Sequence, residues 1–174
     1  MARKTHKLCF DPSDDYRILT ISSPLPEYKL VFFLNKTLLY KFVFKGTFIV
    51  KDSKGARIGE FYLYHYMLDD YTDFFLSGPV SGGASLTREH HLIIKGAVRK
   101  GYLGRIMEGM QRIEGIFDIF EIEALNPDNP PVNQRQRRYF DYMIGVLYDL
   151  EYFLMDYERS GKAVLLYSSE IEMI

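Results

Sequence analysis

Residues 42–68, FVFKGTFIVKDSKGARIGEFYLYHYML, decide the fold class. The first arm, Phe42 to Val50, is rich in β-branched and aromatic residues and is interrupted once, at Gly46. Asp52-Ser53-Lys54-Gly55 is a turn in which Gly55 can take a positive φ. The second arm, Arg57 to Leu68, places Tyr62, Tyr64 and Tyr66 on one face and Phe61, Leu63, His65 and Met67 on the other. Two such arms joined by a tight turn predict an antiparallel pair.

Working outward, Asp69-Asp70 turns the chain into a strand starting at Asp73–Ser77. A flexible loop, Gly78 to Ser85, leads to a strand at His90–Lys95 closed by Gly96. Upstream, Tyr16–Ser22 reads as a strand; Ser23-Pro24 reads as an N-cap with proline at the first helical position. The helix expected from about Leu25 to Tyr40 has an inner stripe of Leu30, Val31, Leu34 and Leu38. Phe32, Phe33 and Leu39 widen it, which predicts cover on more than one side.

Downstream, Leu103, Ile106, Met107, Met110 and Ile113 set a helix over 102–113, ended by Gly115, and Phe117–Leu125 reads as a strand. Asn126-Pro127-Asp128-Asn129-Pro130-Pro131 is a hard stop. Asn133 and Gln136 resemble a capping box opening a helix to Arg159; Gly161 ends it before a short strand at Ala163–Tyr167. The order β-α-β-β-β-β-α-β-α-β predicts one α+β domain over residues 1–174: a mainly antiparallel sheet packed by helices. Its core covers about 8–125, followed by a helical extension at about 133–160 and the final strand.

The chain has 174 residues, 47% of them hydrophobic and 16% aromatic, which permits a core without metal or disulfide staples and excludes a disordered chain. With 22 Lys plus Arg against 23 Asp plus Glu, it lacks the basic excess of a global grip on nucleic acid or acidic membranes. Cys9 is the only cysteine, so neither a disulfide framework nor a cysteine zinc site is expected. The basic start runs into Asp11 and Asp14-Asp15 without an apolar segment, unlike a signal peptide, and no apolar run has the length of a membrane span. Cytoplasm is the expected compartment, with no membrane association.

The segment Asp15-Tyr16-Arg17-Ile18-Leu19-Thr20-Ile21-Ser22-Ser23-Pro24-Leu25-Pro26-Glu27-Tyr28-Lys29-Leu30, continuing to Leu34-Asn35-Lys36, resembles the opening of the small bacterial IPExxxVDY family. Leu92-Ile93-Ile94-Lys95-Gly96 is similar to the stretch after that family's namesake motif, where this chain carries Arg88-Glu89-His90. Ile116–Glu123 is similar to its last long strand, and Lys162–Tyr167 to its C-terminal end. The resemblance makes the long helix an insertion. It implies a bacterial protein and brings no activity and no catalytic residues.

Candidate chemistry is sparse. His90 and His91 follow Glu89, but neighbours on a strand point to opposite faces and cannot chelate together. His65, within the aromatic arm, reads as a histidine hydrogen-bonded in a sheet rather than a general base. Cys9, even with His6 or His65 nearby, reads as a small buried hydrophobe. The glycines from Gly78 to Gly83 precede a strand, not the helix start that phosphate cradles use. Arg99, Lys100, Gly101, Gly104 and Arg105 are better placed, between a strand and a helix, and form a candidate anion site. No catalytic residue, metal site or cofactor is expected.

In the long helix Tyr139, Met143, Val146, Leu150, Phe153 and Tyr157 step by four and three, a heptad-type seam. Arg135, Arg137 and Arg138 stand at its N-terminus, and Asp149, Glu151, Asp156 and Glu158 in its C-terminal half, both against the helix dipole. Two such helices packed antiparallel would neutralise these charges. The expected function is therefore a non-catalytic binding or interaction module, a homodimer through this helix or a partner of another protein. The alternative is an RNA- or phosphate-ligand-binding protein using 99–105 and 135–138, with Tyr62, Tyr64 and Tyr66 stacking on bases.

Overall fold

The structure, a computed structural model, describes residues 16–51, 54–80, 88–96, 98–122 and 133–160. Cys9 and His6, the loop beyond Val80, the Asn126–Pro131 segment and the expected final strand lie outside them. Among the described residues six strands form one sheet: β1 (Tyr16–Ser23), β2 (Val43–Lys51), β3 (Arg57–Asp69), β4 (Thr72–Pro79), β5 (Arg88–Lys95) and β6 (Asp118–Glu121). Its spatial order is β2-β3-β4-β5-β1-β6, and every neighbouring pair is antiparallel. The helices are α1 (Glu27–Leu38), α2 (Lys100–Gln111) and α3 (Gln134–Arg159). This is the α+β class, with a long C-terminal helix.

Strand alternation divides the core in two. Leu19, Ile21, Leu92 and Ile94 face α1 and α2, where Leu30, Leu34, Ile106 and Met110 meet them. Ile18, Leu63, Phe75 and Ile93 face the other way, against Met143, Val146, Leu147 and Leu150 of α3. The sheet is thus covered on both faces, and the three β3 tyrosines belong to the α1/α2 side. Tyr62 is buried there and Tyr66 stacks on Tyr40, so these rings are core rather than a base-stacking platform.

The first helix begins later than its sequence suggests. β1 continues through Ser23, whose hydroxyl accepts the Leu25 N–H at 3.1 Å and donates to the Gly115 carbonyl at 2.7 Å. Pro26 keeps Leu25 out of helical geometry, and itself occupies the N-cap without a side-chain cap bond. The helix ends at Leu39, in the left-handed region at φ 58°. Phe32 is 60% exposed and Leu39 83%, so α1 buries a single face, contrary to its wide apolar pattern.

Two further local features place α3. Gly46 makes a bulge in β2 at φ +133°, and a Cβ there would lie 3.5 Å from the Phe153 ring. The first turn of α3 closes with Arg137 N–H donating to the Asn133 carbonyl at 3.0 Å. No helix among the described residues is long and apolar enough to cross a membrane.

Candidate functional site

The α3-facing side of β5 carries Glu89, His91, Ile93 and Lys95. His91 lies between Thr20 of β1 and Ser77 of β4 in register. Phe120 of β6 is opposite Thr20 and shares this face. The first turns of α3 present Arg135, Arg138, Tyr139 and Tyr142, spaced to share one side of a helix. Together Glu89, Phe120, Arg135, Arg138, Tyr139 and Tyr142 line a groove of about 490 Å³. A second hollow, of about 290 Å³, abuts it at Glu89 and Tyr142 and reaches Glu60, Phe61, Pro79 and His91.

A chain of polar groups runs beneath the groove. Thr20 Oγ1 lies 3.4 Å from His91 Nδ1 and 3.2 Å from Tyr139 Oη, and Tyr139 Oη lies 3.5 Å from Glu89 Oε2. Burial pushes the His91 imidazole down to about 4, the neighbouring His90 charge adding a little, so it is neutral at physiological pH. Burial also raises Tyr139 to about 12, where the Thr20 bond opposes and Glu89 reinforces the shift. Tyr142 rises to about 12 through burial and then Glu89. Both phenols keep their protons. Because the Glu89 carboxylate only accepts, all three bonds form in one direction only. His91 Nδ1–H donates to Thr20, Thr20 to Tyr139, and Tyr139 to Glu89, which leaves His91 Nε2 as an acceptor.

The other sequence candidates fall elsewhere. Arg99, Lys100, Gly101, Gly104 and Arg105 lie at the start of α2, across the sheet from α3, so the two basic clusters do not form one surface. Arg105 instead sits over the Tyr102 ring at 5.5 Å. His65 Nε2 is 2.7 Å from Asp73 Oδ1 and its ring stacks on Phe75. Among the described residues no cluster of His, Cys, Asp and Glu is placed to hold a metal ion. Ser77 is fully buried and its hydroxyl has no hydrogen-bond partner among the described residues.

The helix seam splits. Arg135, Arg138 and Tyr139 line the groove, whereas Met143, Val146 and Leu150 are buried against the chain's own sheet. Those three side chains are therefore already covered within the monomer. Phe153 packs on Phe48, and Tyr157 on Phe153 with the Lys45 ammonium over its ring. Arg137, Asp156 and Glu158 are exposed and make no ion pair among the described residues. The acidic residues nearer the middle find partners in cis: Asp149 accepts the Lys51 N–H at 2.8 Å and Glu151 pairs with Lys95 at 2.7 Å.

Sequence reasoning names the arginines and Tyr139 but not the groove. Tyr142 goes unnamed there, Phe120 falls within an ordinary strand, and Glu89 enters only as the residue before His90 and His91. The one available signal is that Glu89 and His91 share a strand face. No family model, curated protein or solved structure matches the chain.

Proposed function

We propose that this chain is a non-catalytic binding protein, and that the groove at the start of α3 takes a small ligand with negative charge and a flat apolar part. The observation that carries this reading is the convergence of Arg135 and Arg138 with Phe120, Tyr139 and Tyr142 on one groove of about 490 Å³. Neither guanidinium has an ion-pair partner among the described residues. Arginine forks recognise carboxylate, sulfonate or phosphate through paired N–H donors, and aromatic walls take the apolar body. The size suits a ligand larger than a single ion. A lone cysteine fits a reducing, cytoplasmic setting.

Titration with anilinonaphthalene sulfonate tests the reading, since this probe combines an anion with flat rings. Its fluorescence should rise saturably with the full chain. Arg135→Ser with Arg138→Ser should weaken binding at least about tenfold, the effect of losing roughly 1.4 kcal/mol of charge-assisted bonding. Equal binding by both proteins, at unchanged circular-dichroism melting, would refute it.

A second reading, self-association, rests on a different observation. Tyr148, Tyr152 and Met155 are exposed on the outward side of α3, Tyr152 to 76%. Asp156 and Glu158, without an ion pair among the described residues, lie at one end of that helix and Arg137 at the other. A second copy packed antiparallel would cover the aromatic stripe and match these charges.

A further inference from the structure

Resting on the groove reading, we propose that the ligand is a mononucleotide whose base carries an exocyclic amine. The two hollows differ in chemistry and share the Glu89 carboxylate. The outer one offers cationic donors, Arg135 and Arg138. The inner one offers acceptors: the Glu89 and Glu60 carboxylates and His91 Nε2, left without its proton by the donation order set at Glu89. Glu60 is engaged twice, accepting from Thr47 at 2.6 Å and from Arg57 at 3.2 Å, whereas Glu89 accepts only from Tyr139 at 3.5 Å, and His91, 2% exposed, lines the same hollow. Tyr142 and Glu89 stand where the two hollows meet.

A ligand spanning this arrangement has an anion at one end, a flat body against Tyr142 and its neighbours, and hydrogen-bond donors at the other end. A nucleoside monophosphate meets each requirement. Its phosphate takes the guanidinium forks and its base lies on the phenol rings. Its amine donates to a carboxylate, the pairing by which acidic side chains read cytosine. A base with a carbonyl oxygen at that position instead sets an acceptor against Glu89 and His91, and has only its single ring N–H to offer where the amine has two protons. Selection between amine and carbonyl is therefore built into the direction of the polar chain.

Isothermal titration of the full chain with AMP, IMP, CMP and UMP tests this. AMP and CMP should bind at least about tenfold more tightly than IMP and UMP, the lower end of what one base-edge contact discriminates. Glu89→Gln, which can donate as well as accept, should bring each pair to within about threefold. Adenosine, without the phosphate, should lose the dependence on Arg135 and Arg138. If AMP and IMP bind equally, or no nucleotide binds while the sulfonate still does in an arginine-dependent way, the nucleotide inference falls and the groove reading survives. If the sulfonate also fails, both fall. An oligoadenylate binding more than a hundredfold tighter than AMP would overturn the mononucleotide in favour of single-stranded RNA.

Discussion

His90 and His91 are consecutive on β5 yet stand in different cores. The His90 Nδ1 bonds the Tyr62 hydroxyl on the α1/α2 side, and the His91 Nδ1 meets Thr20 on the α3 side. Both are almost completely buried. Burial, with Arg88 adding to it, brings His90 down to about 4 from its ordinary 6.5, and burial does the same for His91. Each half of the molecule therefore contains one imidazole that resists protonation.

The pH dependence follows from that pair. Between 6.5 and about 4 the unfolded chain binds protons at both imidazoles that the folded chain refuses. Stability is then full above pH 6.5 and falls as the pH drops towards 4, by at most about 3 kcal/mol per imidazole. Chemical denaturation from pH 7.5 to 4.5 should show this decline, and His91→Gln should remove about half of its slope. A flat profile over that interval would mean that the imidazoles are not held neutral.

The pattern of residues 42–68 was enough to predict an antiparallel sheet, because alternation is a local property that a buried sheet enforces on every strand. The place of β1 between β5 and β6 was not legible: it depends on pairing across seventy or more residues, as in Thr20 with His91. The periodicity of α3 likewise marks an apolar stripe without naming what covers it. Leu63 and Ile93 cover it here, which leaves Tyr148 and Tyr152 outward. The groove was illegible for the same reason, since Glu89, Phe120 and Tyr142 come together only when three distant segments meet.

Gly96 and Gly104 should respond to alanine in opposite directions. Gly96 has φ +104°, and a Cβ there would lie 2.0 Å from the Tyr71 carbonyl oxygen, which belongs to the backbone and cannot rotate away. Gly96→Ala should cost more than about 2 kcal/mol, combining backbone strain with displacement of the turn before β4. Gly104 lies within α2 with open space around it, so Gly104→Ala should stabilise by about 0.5–1 kcal/mol. Urea midpoints of the two variants check both signs.

Tyr139→Phe separates the polar chain from the aromatic wall. The ring stays, but the bonds to Thr20 and Glu89 go. Stability should fall by about 1 kcal/mol, since Thr20 and Glu89 lose their shared partner under α3. Binding of naphthalene sulfonate should persist within about threefold. A large loss of probe affinity with unchanged stability would instead give the hydroxyl a direct part in binding.

Acidic residues along α3 should divide by position. Asp149 accepts a backbone N–H at the end of edge strand β2, so Asp149→Ala should cost about 1–2 kcal/mol. Asp156 and Glu158 sit at the negative end of the helix with no ion pair among the described residues, and replacing either with Ala should leave a monomer unchanged or gain a few tenths of a kcal/mol. Self-association reverses the second expectation, because those carboxylates would then face Arg137 of a second copy. Sedimentation at several concentrations decides between the two. If Glu158→Lys lowers the mass and Arg137→Glu in the same chain restores it, α3 is an interface. If all variants sediment as the same monomer, the arginines at the start of α3 are left to serve the groove alone.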